Sequence, residues 1–414
     1  MTSVPPGTYF RKGFGLGPAV QGDLAAAYAG DVVDQLLASD HRLTVGDVTI
    51  RLAREFGFCY GVERAVDYAY QTRRKFPDRT VFLLGEIIHN PHVNRTLLGM
   101  GIEIMGPLAD VRDGEPRFDY SGVVPGHVVI LPAFGATMAD FQALRAIGCV
   151  VVDTTCGSVL NVWKRVEAYA RDGFTSLIHG KHYHEETRAT ASQVLKFPGG
   201  HYLVVRDMSE AEEVMAYILA VGAGQVEAAH RTRFVQRFAR AVSPGFDPDT
   251  HLRRIGVANQ TTMLARESLA IGERVGEAMA TALGAAHRAE HFRTFDTICS
   301  ATQDRQDAVS ALLLEPLDAM IVIGGFNSSN TISLAALCAE KVPTYHIEDA
   351  EGIDPAARSV HYRLPQVKHE EADAVDWLSR EGAVTVGITA GASTPNNKIG
   401  ETVARVLATR TPAR

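Results

Sequence analysis

Short β-branched runs alternate with helical stretches along most of this chain. From Val48 onward, VVILPAFG, CVVVDTT, FTSLIHG, YLVVRD, RRIGVANQ, RTFDTI, AMIVIGGF, PTYHIED and AVTVGITAG each carry a short apolar run of the kind a strand buried on both faces shows. Between such runs the apolar positions step by three and four. In SVLNVWKRVEAYARDG, for example, Val159, Val162, Val166 and Tyr169 predict one buried helical stripe, with Gly173 placed to end the helix. The alternation predicts an α/β protein with largely parallel sheets. The first 47 residues are different, rich in Gly, Pro and Ala without a strong strand pattern, and predict an extension packed on or trailing from the main body. Its GFGLG lacks the preceding strand and following helix that a dinucleotide loop needs.

A weak repeat is visible in RLAREFGFCYGVERAV, VVVDTTCGSVLNVW and TFDTICSATQDRQDAV, around Cys59, Cys156 and Cys299. Each cysteine ends a strand and precedes a helix, at the carboxyl end of a parallel strand, where open α/β sheets bind ligands. The economical reading is three similar α/β units, each giving one cysteine to a common centre. The boundaries expected are an extension over 1–47, units over 48–155 and 156–298, and a third unit with the C-terminal tail over 299–414. An insertion is expected near 208–249 of the second unit.

Composition narrows the chemistry. A chain of 414 residues with 46% hydrophobic and 21% charged positions is a globular protein with ample core. Its formal charge of -7 argues against a general nucleic-acid surface and leaves small molecules or proteins as partners. No apolar run is long enough to span a bilayer, and the start MTSVPPGTYFRKGFG lacks a secretory core, so a cytoplasmic location is expected. Five cysteines in such a chain do not suggest a disulfide framework. Cys149 in AIGCVVVD and Cys338 in SLAALCAEK have apolar surroundings that predict buried core thiols. The other three fit an iron–sulfur centre with one iron left open, because a cubane held wholly by protein takes four thiolates. Their wide spacing fits three buried cysteines equally well.

Several polar clusters follow predicted strands. His89 lies in LLGEIIHNPHVN, and His179, His182, His184, Glu185 and Glu186 lie in SLIHGKHYHEETRATASQ. Titratable groups at a strand end and helix start suit proton transfer and anion binding, although acids there also answer a helix macrodipole. The spacing lacks the H-E-x-x-H pattern of a zinc site. ANQTTM holds Thr261, IVIGGFNSSNTISLAAL holds Ser328, Ser329 and Asn330, and VGITAGASTPNNKIG holds Ser393. Hydroxyls and amides at helix starts serve as caps or as phosphate ligands.

Read in order, GFCYGVERAV, EIIHNPHVN, VVDTTC, HGKHYHEETRATAS, NQTTM, TICSATQDRQDAV, GGFNSSNTISLAALC and GITAGASTPNNKI resemble the motifs of the LytB/IspH family of 4-hydroxy-3-methylbut-2-enyl diphosphate reductases, from about Phe56 to Val403. The resemblance implies a trefoil of three α/β units around a central 4Fe-4S cluster. It also implies the last step of the non-mevalonate isoprenoid route, making isopentenyl and dimethylallyl diphosphate. On it, Cys59, Cys156 and Cys299 look like the cluster ligands, Glu186 the proton-delivering acid and Thr261 its neighbour beside the substrate. His89, His184, Ser328, Asn330 and Ser393 look like diphosphate contacts, with Ser329 adding backbone groups. Two positions depart from the pattern. Phe134 stands where many bacterial members have a phosphate-contacting histidine, which His182 or another basic group would then replace, and Gly157 stands where proline often follows the second cysteine. Together with the insertion and the N-terminal segment, Phe134 looks like the longer plant and cyanobacterial branch. No flavin or nicotinamide signature is present, so an external ferredoxin or flavodoxin is the expected electron donor. A hydratase-like lyase and a non-catalytic redox sensor with a labile cluster are the competing readings.

Overall fold

A computed structural model describes residues 8–109, 111–365 and 370–410. The first seven residues of the expected extension and the last four of the expected tail lie outside the described residues. Twelve parallel strands form the framework: β1 (Val48–Leu52), β2 (Val81–Leu84), β3 (Ile102–Met105), β4 (Val128–Leu131), β5 (Val150–Asp153), β6 (Thr175–His179), β7 (Tyr202–Val205), β8 (Ile255–Asn259), β9 (Phe292–Thr294), β10 (Ala319–Ile323), β11 (Thr344–Ile347) and β12 (Val384–Ala390). They fall into three sheets. In space these run β5-β4-β2-β3, β9-β8-β6-β7 and β1-β12-β10-β11, with every neighbouring pair in these series parallel. The α/β class with mostly parallel sheets is therefore borne out.

The sheets share one winding order. The chain lays down a central strand, then an outer one beside it, then crosses to the other side for two more. In the third sheet the last place is filled by β1, from the start of the chain, paired from Val384↔Val48 to Ile388↔Leu52. Residues 48–52, which the sequence boundaries place at the head of the first unit, thus sit in the sheet of the C-terminal strands. A parallel strand carries no local mark of its partner, because the partner is reached through a long crossover.

Two compact units hold these sheets. The first unit comprises 1–12, 76–87 and 102–299 and contains the first two sheets; the second comprises 13–75, 88–101 and 300–414 and contains the third. In the first unit, Val162, Val166 and Tyr169 pack with Leu177, Val257 and Ile271, so the predicted helical stripe does face the core. Residues 208–249, where an insertion is expected, carry helices Met208–Gly222 and Ala228–Phe238. In the second unit, Ile50, Ile321, Val386 and Ile388 form the centre of the sheet core, and antiparallel strands Arg42–Val45, Ser359–Arg363 and Glu371–Val375 extend its flanks. The N-terminal segment contributes Tyr9–Phe10 to the edge of the first sheet and helices Gly17–Tyr28 and Asp31–Ala38 to the second unit.

Close packing makes one glycine critical. A Cβ on Gly256, in β8, would stand 2.4 Å from Cγ of Tyr169, whose hydroxyl donates to the Val257 carbonyl (3.1 Å) and so cannot simply swing away. Gly256→Ala is expected to cost about 1–3 kcal/mol, the usual penalty of overpacking, and to lower the thermal midpoint. An unchanged midpoint would show that this contact yields freely.

Candidate active site

Winding order fixes where chemistry can occur. Between the two inner strands of each sheet the direction of winding reverses, so the loops leaving their carboxyl ends diverge and open a crevice. Those loops and the helix starts they lead into, together with the one leaving the last strand, carry the candidate ligand, acid and phosphate-contact residues read from sequence.

The three cysteines are built alike. Each immediately precedes a helix: Cys59 before α1 (Tyr60–Lys75), Cys156 before α3 (Gly157–Arg171) and Cys299 before α5 (Ser300–Leu312), with α2 (Pro91–Gly99) and α4 (Glu185–Val194) lying between them in the chain. The backbone N–H of Cys59 donates to Ala392 O (3.3 Å), that of Cys156 to Ala133 O (3.0 Å) and that of Cys299 to Thr261 O (3.2 Å). Ala392, Ala133 and Thr261 each lie two residues past the end of the neighbouring strand, β12, β4 or β8. One device therefore fixes all three cysteines at equivalent sheet positions.

The same acceptor residue is held from its other side. Thr261 N–H donates to Glu186 Oε1 (2.6 Å) and Ala392 N–H to Asn330 Oδ1 (2.9 Å). Glu186 and Asn330 occupy the same place, seven residues past the ends of β6 and β10. In the first sheet that place is Pro91, which has no polar side chain, and Ala133 N–H donates to Ile87 O (3.2 Å) instead. Equivalence extends to His89, His184 and Ser328, each five residues past β2, β6 and β10. It also extends to Phe134, Thr262 and Ser393, each three past β4, β8 and β12.

In the first unit, this arrangement gathers Cys299, Thr261, Glu186 and His184. Glu186 is only 1% exposed, and its second oxygen accepts from Thr261 Oγ (3.0 Å). His184 caps α4, its Nδ1 accepting the Glu186 N–H (3.2 Å), so in the neutral ring the proton sits on Nε2. The Phe134 ring stands edge-on to that imidazole, with centroids 5.5 Å apart. Cys156 belongs to the same unit, at the equivalent position of the first sheet. His182 holds none of these repeat positions; its ring meets Tyr183 edge-on.

In the second unit, Cys59 adjoins the loop of Ala392 and Ser393, which in turn meets His89 and α6 (Ser329–Ala339). Ser393 Oγ donates to His89 O (3.1 Å), Asn327 Nδ2–H donates to His89 Nδ1 (3.2 Å), and Asn330 Nδ2–H donates to Thr302 Oγ (3.4 Å). His89 thus also carries its neutral-ring proton on Nε2. Ser328 caps α6 and, like Ser329 and Asn330, is buried. An added Cβ on Gly325 would lie 2.6 Å from His89 O, so this turn must be glycine.

The thiols divide as the sequence suggests. Cys149 and Cys338 are buried among apolar side chains in separate cores, and burial pushes the Cys149 thiol up to about 11 and the Cys338 thiol up as well. Such thiols stay protonated and inert. Cys59, Cys156 and Cys299 are partly exposed, outside any disulfide, and sit at helix N-termini. Three soft thiolate donors on rigid strand-to-helix turns fit an iron–sulfur centre.

Sequence reasoning missed Arg305 and gave Asn327 no role. Arg305 lies on the buried stripe of α5 with Thr302, Val309 and Leu312, and a cation on an otherwise core-facing stripe was the available signal. Among the described residues, no helix is long and apolar enough to cross a membrane.

Comparison with known proteins gives the same direction. The family model described as LytB protein matches residues 50–407. A 4-hydroxy-3-methylbut-2-enyl diphosphate reductase of Thermosynechococcus vestitus is 46% identical over 406 residues, covering 98% of this chain and 96% of the relative. That of Gloeobacter violaceus is 45% identical over 402 residues, covering 96% and 92%. Among solved structures, the E-1-hydroxy-2-methyl-but-2-enyl-4-diphosphate reductase from Plasmodium falciparum shares the fold, with a TM-score of 0.59 at 19% identity over 86% of each chain.

Proposed function

The chain belongs to the LytB family, and from that membership we propose that Cys59, Cys156 and Cys299 jointly hold a 4Fe-4S cluster and that Glu186 is the acid of the reaction. The reaction is the reductive conversion of 4-hydroxy-3-methylbut-2-enyl diphosphate, a small-molecule diphosphate, in the last step of the non-mevalonate route. It is an oxidoreductase reaction that depends on an iron–sulfur cluster. Support for the ligand assignment comes above all from the hydrogen-bond register that recurs at the three cysteines and at no other thiol.

When bound, the cluster supplies electrons and an open iron for the substrate hydroxyl. The residues of this chain do the rest. Overall, the C–O bond breaks, two electrons and two protons are consumed, a C–H bond forms and water leaves, giving isopentenyl and dimethylallyl diphosphate. Glu186 is anchored through both oxygens to Thr261; once protonated on Oε2 it would donate to Thr261 Oγ, the reverse of the bond the carboxylate accepts, and the Thr261 hydroxyl would pass a proton to the departing oxygen. His89 and His184 each carry an Nε2–H, and Ser328, Asn330 and the backbone of Ser329 at the N-terminus of α6, with the Ser393 hydroxyl turned from His89 O, would complete a set of donors suited to diphosphate oxygens. Holding the remote diphosphate orients the reacting hydroxyl. Electrons come from an external carrier such as ferredoxin or flavodoxin.

Anaerobic protein reduced in advance is expected to give up two electrons for each substrate molecule converted. A hydratase-like lyase would convert substrate with no loss of electrons, and that outcome would refute the reductase reading. Ser328→Ala is expected to raise KM by about tenfold or more, since a hydrogen bond to a charged group contributes about 1.5–3 kcal/mol, with kcat little changed. An unaltered KM would remove Ser328 from the diphosphate shell.

A further inference from the structure

Arg305 is 3% exposed, yet among the described residues it faces no carboxylate within ion-pair distance. Its partners are backbone carbonyls: Nη1 donates to Ala301 O (2.8 Å), and Nη2 to Gly57 O (2.6 Å), Phe56 O (3.2 Å) and Phe58 O (3.3 Å). Its buried Nε makes no hydrogen bond. A buried charge without a counter-charge is strongly disfavoured, and carbonyl dipoles answer it only in part.

The places it grips are telling. Phe58 C=O and Cys59 N–H belong to one peptide group, so Arg305 holds that peptide by its oxygen while Ala392 holds it by its N–H. Ala301 lies two residues beyond Cys299, on the first turn of the same helix as Arg305. Gly57, at φ +62°, bends the loop so that three successive carbonyls converge on one guanidinium.

We propose that Arg305 is a positioning residue for the cluster, holding the Cys59 turn and supplying the buried positive charge that offsets the negative charge of a thiolate-bound centre. This rests on the reading that Cys59 and Cys299 are cluster ligands. Three thiolates leave an oxidised 4Fe-4S centre net negative, and each added electron makes it more so. A fixed buried cation therefore favours the reduced form and raises the reduction potential, since net charge and hydrogen bonding near a cluster set that potential.

The test is a redox titration of the anaerobic holoprotein, followed by electron paramagnetic resonance together with iron quantitation, for wild type, Arg305→Gln and Arg305→Lys. Removing the charge in Arg305→Gln is expected to lower the ratio of reduced to oxidised cluster about tenfold at a fixed potential, which is 59 mV for one electron. Arg305→Lys, which keeps the charge, is expected to load iron and to titrate near wild type. A loaded Gln variant that titrates like wild type overturns the proposal, as does a Lys variant that cannot retain iron, because charge would then not be what matters. If the Gln variant loses its iron, the Lys variant decides alone by the same criterion. Failure of the wild type itself to hold iron would instead refute the ligand assignment.

Discussion

Glu186→Gln is expected to lower kcat by about 10²–10⁴-fold, the usual contribution of a positioned proton donor, with iron content unchanged and KM close to wild type. Geometry makes the substitution a clean one. Glu186 accepts the Thr261 N–H with one oxygen, and a glutamine carbonyl can do the same; its amide can then donate to Thr261 Oγ, where the carboxyl oxygen previously accepted. The Thr261 carbonyl therefore stays where Cys299 N–H needs it. What disappears is the acidic proton. Single-turnover measurement on pre-reduced protein separates chemistry from electron delivery, and a wild-type rate there would exclude Glu186 as the acid. Thr261→Ala removes only the hydroxyl and is expected to give a smaller loss of the same kind.

How far the site could be read from sequence depended on how locally each feature is encoded. Apolar runs such as AMIVI and TSLIH announce buried parallel strands because both faces are covered, and the structure places β10 and β6 there with every residue buried. The three cysteines could be grouped because strand, cysteine and helix are contiguous. Pairing of β1 with β12 could not be read, since the two segments lie at opposite ends of the chain and parallel partners share no turn. Nor could the equivalence of Glu186 with Asn330 be seen. Loops GKHYHEE and GGFNSSN share little beyond their opening glycine, yet both place an acceptor seven residues after a strand, against the N–H of the residue that anchors a cysteine. The N-terminal segment showed no strand pattern because Tyr9–Phe10 is a strand only through its pairing with Val151 and Val152. Its first helix, Gly17–Tyr28, was likewise obscured by two glycines and a proline. The same repeat clarifies Phe134, which shares its position with Thr262 and Ser393 and exchanges a polar group for a ring packed on His184.

Alanine at Cys59, Cys156 or Cys299 is expected to abolish turnover and strip iron from the protein, whereas alanine at Cys149 or Cys338 is expected to leave both near wild type. The contrast follows from the setting of each thiol. Cys338 packs against Val309, Leu334 and Ala335, and Cys149 lies with Leu144 and Val151, so removing either sulfur leaves a small cavity costing about 0.5–3 kcal/mol, with the weak Sγ–H bond to Leu144 O (3.7 Å) also lost at Cys149. At the other three positions alanine preserves the backbone donor to Ala392, Ala133 or Thr261, and with it the turn. Loss of iron would then report the missing thiolate, not a collapsed loop. Serine extends the test, because its oxygen keeps a ligand atom of harder character that suits iron–sulfur binding poorly; partial iron retention in a serine variant, and none in the alanine, is the expected order. Iron and sulfide quantitation beside a thermal melt checks each variant, since folded protein without iron is the decisive combination. Full iron content in any one of the three alanine variants would remove that cysteine from the ligand set. The equivalence of the three strand-to-helix turns would then need a different chemical reason.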